Sequence, residues 1–266
     1  MTMTPDVPEM LQEYGKYCSI RDSAIKTGVI DLSSYSWFYP TCLILLSSFR
    51  NENQDFHYIE PDLNVENYIN VILKSAYSDN SSYVPMTYFS KHENRKDRII
   101  DILQTKYENG SNFGGPNAFN FLMNELIDNI YTHSEFTNAC VMAQQYKAKG
   151  FVEISIHDNG ITIPSCFEKH GIEFSGDCDA IQKAISGTST KDKTRGFGLN
   201  RTIKMYTDDV NDIAEFLLVS RNGAIYKNKN DTGKFYSLKE PSTLHGTLIS
   251  IRLSYPATKI DAAQYY

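Results

Sequence analysis

Three groups of residues in this sequence combine types and spacings that could do chemistry. The first is Glu125, Asn129 and His133 at i, i+4 and i+8, which on a helix form one polar row. At about 100° per residue, that row lies roughly 100° around from the neighbouring apolar stripe, so it borders a core. A carboxylate beside a carboxamide oxygen suits magnesium and an ordered water, because hard cations take oxygen ligands. The same spacing also fits an ordinary solvated helix face. The second group is Asp158-Asn159-Gly160. Alternation over 151–157 puts Asp158 on the face of Val152, Ile154 and Ile156, where a carboxylate needs a hydrogen-bond donor. An adenine amine is one such donor, and a turn of the loop on itself supplies another. The third group is Ser186-Gly187-Thr188-Ser189-Thr190-Lys191-Asp192-Lys193-Thr194-Arg195-Gly196-Phe197-Gly198-Leu199, ahead of a helical stretch to Met205. Glycines before a helix let backbone N–H groups reach a phosphate, and Lys191, Lys193 and Arg195 add cations. The loop is not a Walker A motif, since GxxxxGK[ST] is absent, nor a dinucleotide fingerprint, since GxGxxG fails at Arg201. A charged surface loop is its other reading.

These groups need elements to hold them. Asn117 to about Lys147 is expected as one long helix, with Phe119, Leu122, Met123, Leu126, Ile127 and Ile130 on its apolar face. Phe151 to His157 alternates as a half-buried strand, with Glu153, Ser155 and His157 outward. Further strands are expected at Ala214–Ser220, Ala224–Asn228 and Thr247–Ser254. Arg221-Asn222-Gly223 is a hairpin turn on the ground that Asn and Gly accept positive φ. Upstream, a short strand opens at Val29 and stops at Ser33-Ser34, and a helix runs from Pro40 to about Arg50. A strand at Phe56–Ile59 and a helix at Val65–Ala76 follow, which makes a small α/β layer. The pattern breaks between Ser78 and Asn94, so the chain divides into residues 1–95 and residues 96–266. Ile99–Lys106 is a short helix and Gly110–Pro116 a loop. The fold class is α+β, a sandwich of helices on antiparallel strands in the second part.

Composition excludes several classes. The 266 residues are 41% hydrophobic, enough for one large domain or two small ones, and too apolar for disorder. Acidic residues outnumber basic ones 32 to 26, a net charge of −6, so no broad basic surface for nucleic acid is expected. The longest purely apolar run, Cys42 to Leu46, falls far short of a membrane span, and the first ten residues lack the features of a signal peptide. Five cysteines without a CxxC pair argue for free thiols in a reducing cytoplasm, with no disulfide framework and no zinc site.

In their order along the chain, the three groups resemble the GHKL ATP-binding fold shared by gyrase B, the heat-shock-90 chaperone, histidine kinases and MutL. Asn124-Glu125-Leu126-Ile127-Asp128-Asn129-Ile130-Tyr131-Thr132-His133-Ser134 is similar to that family's N box. Asp158-Asn159-Gly160 with Pro164 is similar to its G1 box, Gly196-Phe197-Gly198-Leu199 to its G2 box, and Gly246-Thr247 to its last threonine motif. The resemblance covers about residues 97–256 and implies a two-layer α/β sandwich, the Bergerat fold. It implies that Asn129 binds a Mg2+ ion bridging the phosphates of ATP and that Glu125 is the catalytic base. Asp158 would accept the adenine amine, Gly160 would allow close approach, and Thr247 would support the base or a water. Residues 186–198 would be the ATP lid, with Lys191, Lys193, Arg195, Gly196, Phe197, Gly198 and Leu199 around the phosphates. One departure stands in the G1 box: Thr162 occupies the place of the family's second glycine, where a side chain narrows the adenine pocket. The N-terminal region resembles a STAS domain through Asp31-Leu32-Ser33, Trp37-Phe38, Pro40 and Leu43. At that family's phosphoacceptor motif it has Tyr39-Pro40-Thr41, so Thr41 is the one hydroxyl there that could accept phosphate. The expected function is ATP hydrolysis or phosphate transfer, with a regulatory protein partner and a homodimer as one arrangement. The competing reading is a non-catalytic ATP-gated switch like the anti-sigma-factor regulators.

Overall fold

The computed structural model describes residues 7–73, 83–91, 96–188, 198–207, 213–229 and 233–265. The N-terminal elements are α1 (Glu9–Thr27), β1 (Val29–Asp31), α2 (Pro40–Glu52), β2 (His57–Ile59) and α3 (Leu63–Leu73). There follow β3 (Tyr83–Ser90), α4 (Lys96–Lys106), α5 (Pro116–His133), β4 (Asn138–Tyr146), β5 (Phe151–Asp158), α6 (Ile163–Lys169) and α7 (Asp177–Ile185). The last elements are α8 (Gly198–Thr207), β6 (Ala214–Arg221), β7 (Gly223–Asn228), β8 (Lys234–Ser237) and β9 (Leu244–Ser254). The architecture is mixed α+β, as its sequence pattern implies. The expected extension of α3 to Ala76 lies outside the described residues.

Strands β3-β4-β5-β9-β6-β7-β8 form one sheet in that order, with every neighbouring pair antiparallel. β1 and β2 form a separate parallel pair. β3 falls inside the stretch read as a break between two regions, and it closes the edge of the large sheet against β4.

Helices cover both faces of this sheet. On one face Val141, Ile154, Ile156 and Leu218 pack with Phe119, Leu122, Leu126 and Ile127 of α5. On the other, Cys140, Met142, Leu217 and Leu248 pack with Tyr14 of α1 and Leu43 and Leu46 of α2. The N-terminal helices therefore form a third layer, and β5 is buried at all eight positions instead of every second one. Its outward set, Glu153, Ser155 and His157, meets protein where water was expected.

Those polar residues are consequently paired. The Glu153 carboxylate accepts the Thr41 N–H at 2.8 Å and the Thr41 hydroxyl at 2.7 Å. Its other oxygen accepts Nε of Arg252 at 2.6 Å, and Nη1 of Arg252 reaches Glu9 at 2.6 Å. Thr41 is fully buried. The phosphate-acceptor expectation for its hydroxyl is corrected: the group is committed to Glu153 at the start of α2 and has no solvent access. Ser155 pairs with Ser250 at 2.7 Å.

The long helix expected over 117–147 is also corrected. α5 stops at His133, Ser134 caps it, and Glu135 turns the chain with φ 51°. Residues 138–146 are strand β4. Its Ala139, Val141 and Ala143 face one layer and Cys140 and Met142 the other. A strand covered on both faces is apolar throughout, and such a run cannot be told from a buried helix by periodicity.

The β6–β7 hairpin is present with Ser220 opposite Gly223. Arg221, however, takes the positive φ (55°), and neither Asn222 nor Gly223 does. Its guanidinium is held by Asp177 at 2.9 Å and Glu168 at 2.8 Å, which ties α6 and α7 to the hairpin. Gly223 is needed for packing, since a Cβ there would lie 2.8 Å from Ile181. All five cysteines are free thiols. No helix among the described residues is long and apolar enough to cross a membrane.

Removing one partner of a buried ion pair leaves an uncompensated charge. Glu153→Ala is expected to cost about 3–5 kcal/mol, and Thr41→Val, which keeps the backbone bond, about 1–2 kcal/mol. Urea unfolding measures both. Equal small losses would show that Arg252 reaches water in the variant.

Candidate functional site

α5 opens with Pro116 at its first turn and buries Ala118, Phe119, Leu122, Met123, Leu126, Ile127 and Ile130. The row Glu125, Asn129 and His133 is left along the border of that stripe, half-buried. All three line one cavity of about 150 Å³, together with Ile156 and Asp158 from β5, Thr162 from the following loop, and Thr247 from β9. The structure thus gathers most of the described sequence-predicted residues in one place.

Asn129 donates its side-chain N–H to Glu125 at 2.9 Å. That bond uses the carboxamide nitrogen, so its oxygen is the end a cation would meet. Among the described residues no three His, Cys, Asp or Glu side chains converge on a metal position. An ion at Asn129 would therefore draw its other ligands from phosphate and water, which is how magnesium is commonly held.

Asp158 closes β5 opposite Thr247 and is 3% exposed. Its carboxyl accepts the Gly160 N–H at 3.0 Å. The turn bond and the cavity-facing position are therefore realised together. Burial pushes the Asp158 carboxyl up to about 7, against the opposing pull of the Gly160 N–H and the Ser134 hydroxyl. His157 points to the opposite face, where its Nδ1 lies 3.1 Å from the Thr247 carbonyl and burial lowers it to about 4.

Gly160 serves a contact within the chain. A Cβ there would stand 2.0 Å from the Ser134 carbonyl oxygen, and the residue is not among those that line the cavity. The close approach that the structure gives Gly160 is to the end of α5. Thr162 has a structural reason too. It caps α6, accepting the Ser165 N–H at 3.2 Å and donating to the Ser165 hydroxyl at 2.8 Å. A glycine could not make that cap. Thr247 lies 3.1 Å from the Ser220 hydroxyl, which accepts the Ile163 N–H at 2.9 Å, so β9, β6 and α6 are joined beside the cavity.

At the other end, Gly198 opens α8 directly against Glu125: a Cβ would lie 1.9 Å from its carboxylate. Leu199 lines the cavity, as does Thr188. Lys191, Lys193, Arg195, Gly196 and Phe197 lie outside the described residues.

Sequence reasoning missed α6 and α7, and with α6 the Cys166 and Phe167 wall of the cavity. A signal was present: Thr162 followed by Pro164 is a helix cap and first-turn proline. It also gave Ser134 no role. Compared with protein-family models, curated proteins and solved structures, the chain matches none.

The raised Asp158 pKa has a defined consequence for stability. Between the ordinary value of 3.8 and the folded value of about 7, the folded chain holds more protons on this group, so stability falls as pH rises across that window. Asp158→Asn removes the charge and should abolish the fall, a gain of up to about 4 kcal/mol at neutral to alkaline pH given 1.36 kcal/mol per unit. Urea unfolding across the window reads the gap. A gap that does not grow with pH would contradict it.

Proposed function

We propose that this chain binds ATP with magnesium in the 150 Å³ cavity and hydrolyses it or transfers its phosphate, as a GHKL-type protein whose N-terminal layer is regulatory. The observation that carries this reading is one cavity holding a buried Asp158 carboxyl and the hydrogen-bonded Glu125–Asn129 pair. The cavity opens to one side, and its walls include Ile156, Ile161 and Phe167, apolar surface suited to the faces of a purine. An adenine amine would donate to Asp158. The same carboxylate repels the O6 acceptor of guanine. The phosphates would extend toward Glu125 and Gly198, at the start of α8, where a helix N-terminus favours anions.

Bound magnesium would neutralise phosphate charge beside the Asn129 oxygen. Glu125, oriented by the Asn129 amide, would hold the attacking hydroxyl or water and accept its proton. Gly198 leaves room for that carboxylate. A second reading, a non-catalytic switch, is favoured by one contact: Asn159, next to Asp158, donates to Glu52 of α2 at 3.1 Å. Ligand-driven movement of the loop would reach the N-terminal layer through it.

Calorimetry should show ATP binding and no GTP binding; equal affinities would reject the adenine site. Asn129→Ala should abolish magnesium-dependent binding. Glu125→Ala should keep binding and lower turnover by roughly 10²–10⁴. A wild type that binds ATP without turnover, alone and with partners, leaves the switch.

A further inference from the structure

Two short helices supply part of the cavity wall: Ile163, Cys166 and Phe167 come from α6, and Ala184 comes from α7. They have seven and nine residues. Helices of that length do not hold themselves in water, so bonds to the rest of the protein must set their position. Arg221, at the β6–β7 turn, reaches both. Its Nε donates to the Asp177 carboxylate at the start of α7 at 2.9 Å, and its Nη2 does so at 2.5 Å. Its Nη1 donates to Glu168 of α6 at 2.8 Å and lies 3.5 Å from the Ser165 hydroxyl. That hydroxyl accepts the Thr162 hydroxyl at 2.8 Å, and Thr162 lines the cavity. Arg221 keeps these bonds from a left-handed backbone, φ 55°, which is uncommon outside glycine and asparagine.

We propose that Arg221 is a positioning residue of the cavity: its guanidinium fixes α6 and α7 as one wall and so holds Cys166 and Phe167 in place beside a bound ligand. The proposal rests on the nucleotide-site reading for its functional meaning. Its physical core, the hold of Arg221 on the wall, is independent of any ligand.

The two carboxylates divide the work. The Asp177 side chain is 10% exposed, takes two guanidinium nitrogens and also accepts the Asn222 N–H at 2.9 Å. A forked pair of this kind fixes direction as well as distance. The Glu168 side chain is 53% exposed, and solvent weakens its pair. Loss of Arg221 therefore frees both helices, whereas loss of the Glu168 charge loosens α6 alone. Cys166 is buried on α6 at the cavity and reports on that helix. Cys42 on α2 and Cys140 on β4 are buried in the core on the sheet's other face and report on the fold as a whole.

The test is alkylation of the native full chain by iodoacetamide, with the rate at each cysteine read by mass spectrometry. In Arg221→Gly, which suits the left-handed backbone, Cys166 should react about tenfold faster than in wild type, the scale of losing hydrogen bonds to charged groups. Cys42 and Cys140 should keep their rates. Glu168→Gln should quicken Cys166 about two- to threefold, and it decides the matter if Arg221→Gly fails to fold. ATP with magnesium should protect Cys166 in wild type, and ATP affinity should fall roughly tenfold in Arg221→Gly. All three cysteines quickening together would report a general loss of stability and overturn the proposal. An unchanged Cys166 rate in both variants overturns it, and so does an unchanged ATP affinity in Arg221→Gly. A wild type that fails to bind ATP overturns the nucleotide reading instead, and the rates without ATP still decide whether Arg221 holds the wall.

Discussion

Arg252 and Glu153 meet in the middle of the protein, 4% and 0% exposed in their side chains, with Nε 2.6 Å from the carboxylate. Neither charge would be tolerated there alone. The pair persists because Glu153 also accepts from Thr41 at the start of α2, and Nη1 of Arg252 reaches Glu9 on α1 and Glu215 on β6; Nη2 of Arg252 is buried without a partner. The arrangement works only if the N-terminal helices lie on the sheet. Their docking also puts Cys140, Met142, Leu217 and Leu248 into an apolar interface. Hydrophobic burial supplies the driving force, and the charge pair supplies a register, since a shifted helix layer would strand a buried ion.

The cavity lies on the sheet's opposite side and uses the same strand. Glu153 and Asp158 are both on β5, five residues apart and therefore on opposite faces. One carboxylate is satisfied by a guanidinium and serves the fold. The other accepts the Gly160 N–H, and burial pushes its carboxyl up to about 7. An under-satisfied buried acid opposes folding above its ordinary pKa. It lies on the wall of the cavity, which is why the proposed function turns on it.

Glycines next to residues of the cavity wall allow close approach between segments. Gly160 touches the Ser134 carbonyl, Gly246 touches the Asp158 carbonyl, and Gly198 touches the Glu125 carboxylate. In each case a Cβ would fall within about 2 Å of the neighbour. Three segments far apart in sequence are thereby brought to van der Waals distance around one space.

Much of this was legible in residue order. The apolar stripe of α5 and the parity of β5 were enough to set Glu125, Asn129 and His133 along a core border and Asp158 on an inward face. Both are local periodicities, and a single element determines them. The end of α5, the strand β4 and the full burial of β5 were not legible. A helix of apolar residues and a strand covered on both faces carry the same hydrophobic signal, and only a partner sheet and a second helical layer distinguish them. The same is true of the glycines. Gly160 read as freedom for a ligand, yet the neighbour that requires it is Ser134, 26 positions earlier and adjacent only once the chain has folded. Sequence by itself determined which residue types could share a face. Tertiary packing decided which faces meet, because long-range contacts choose between local patterns that are equally good alone.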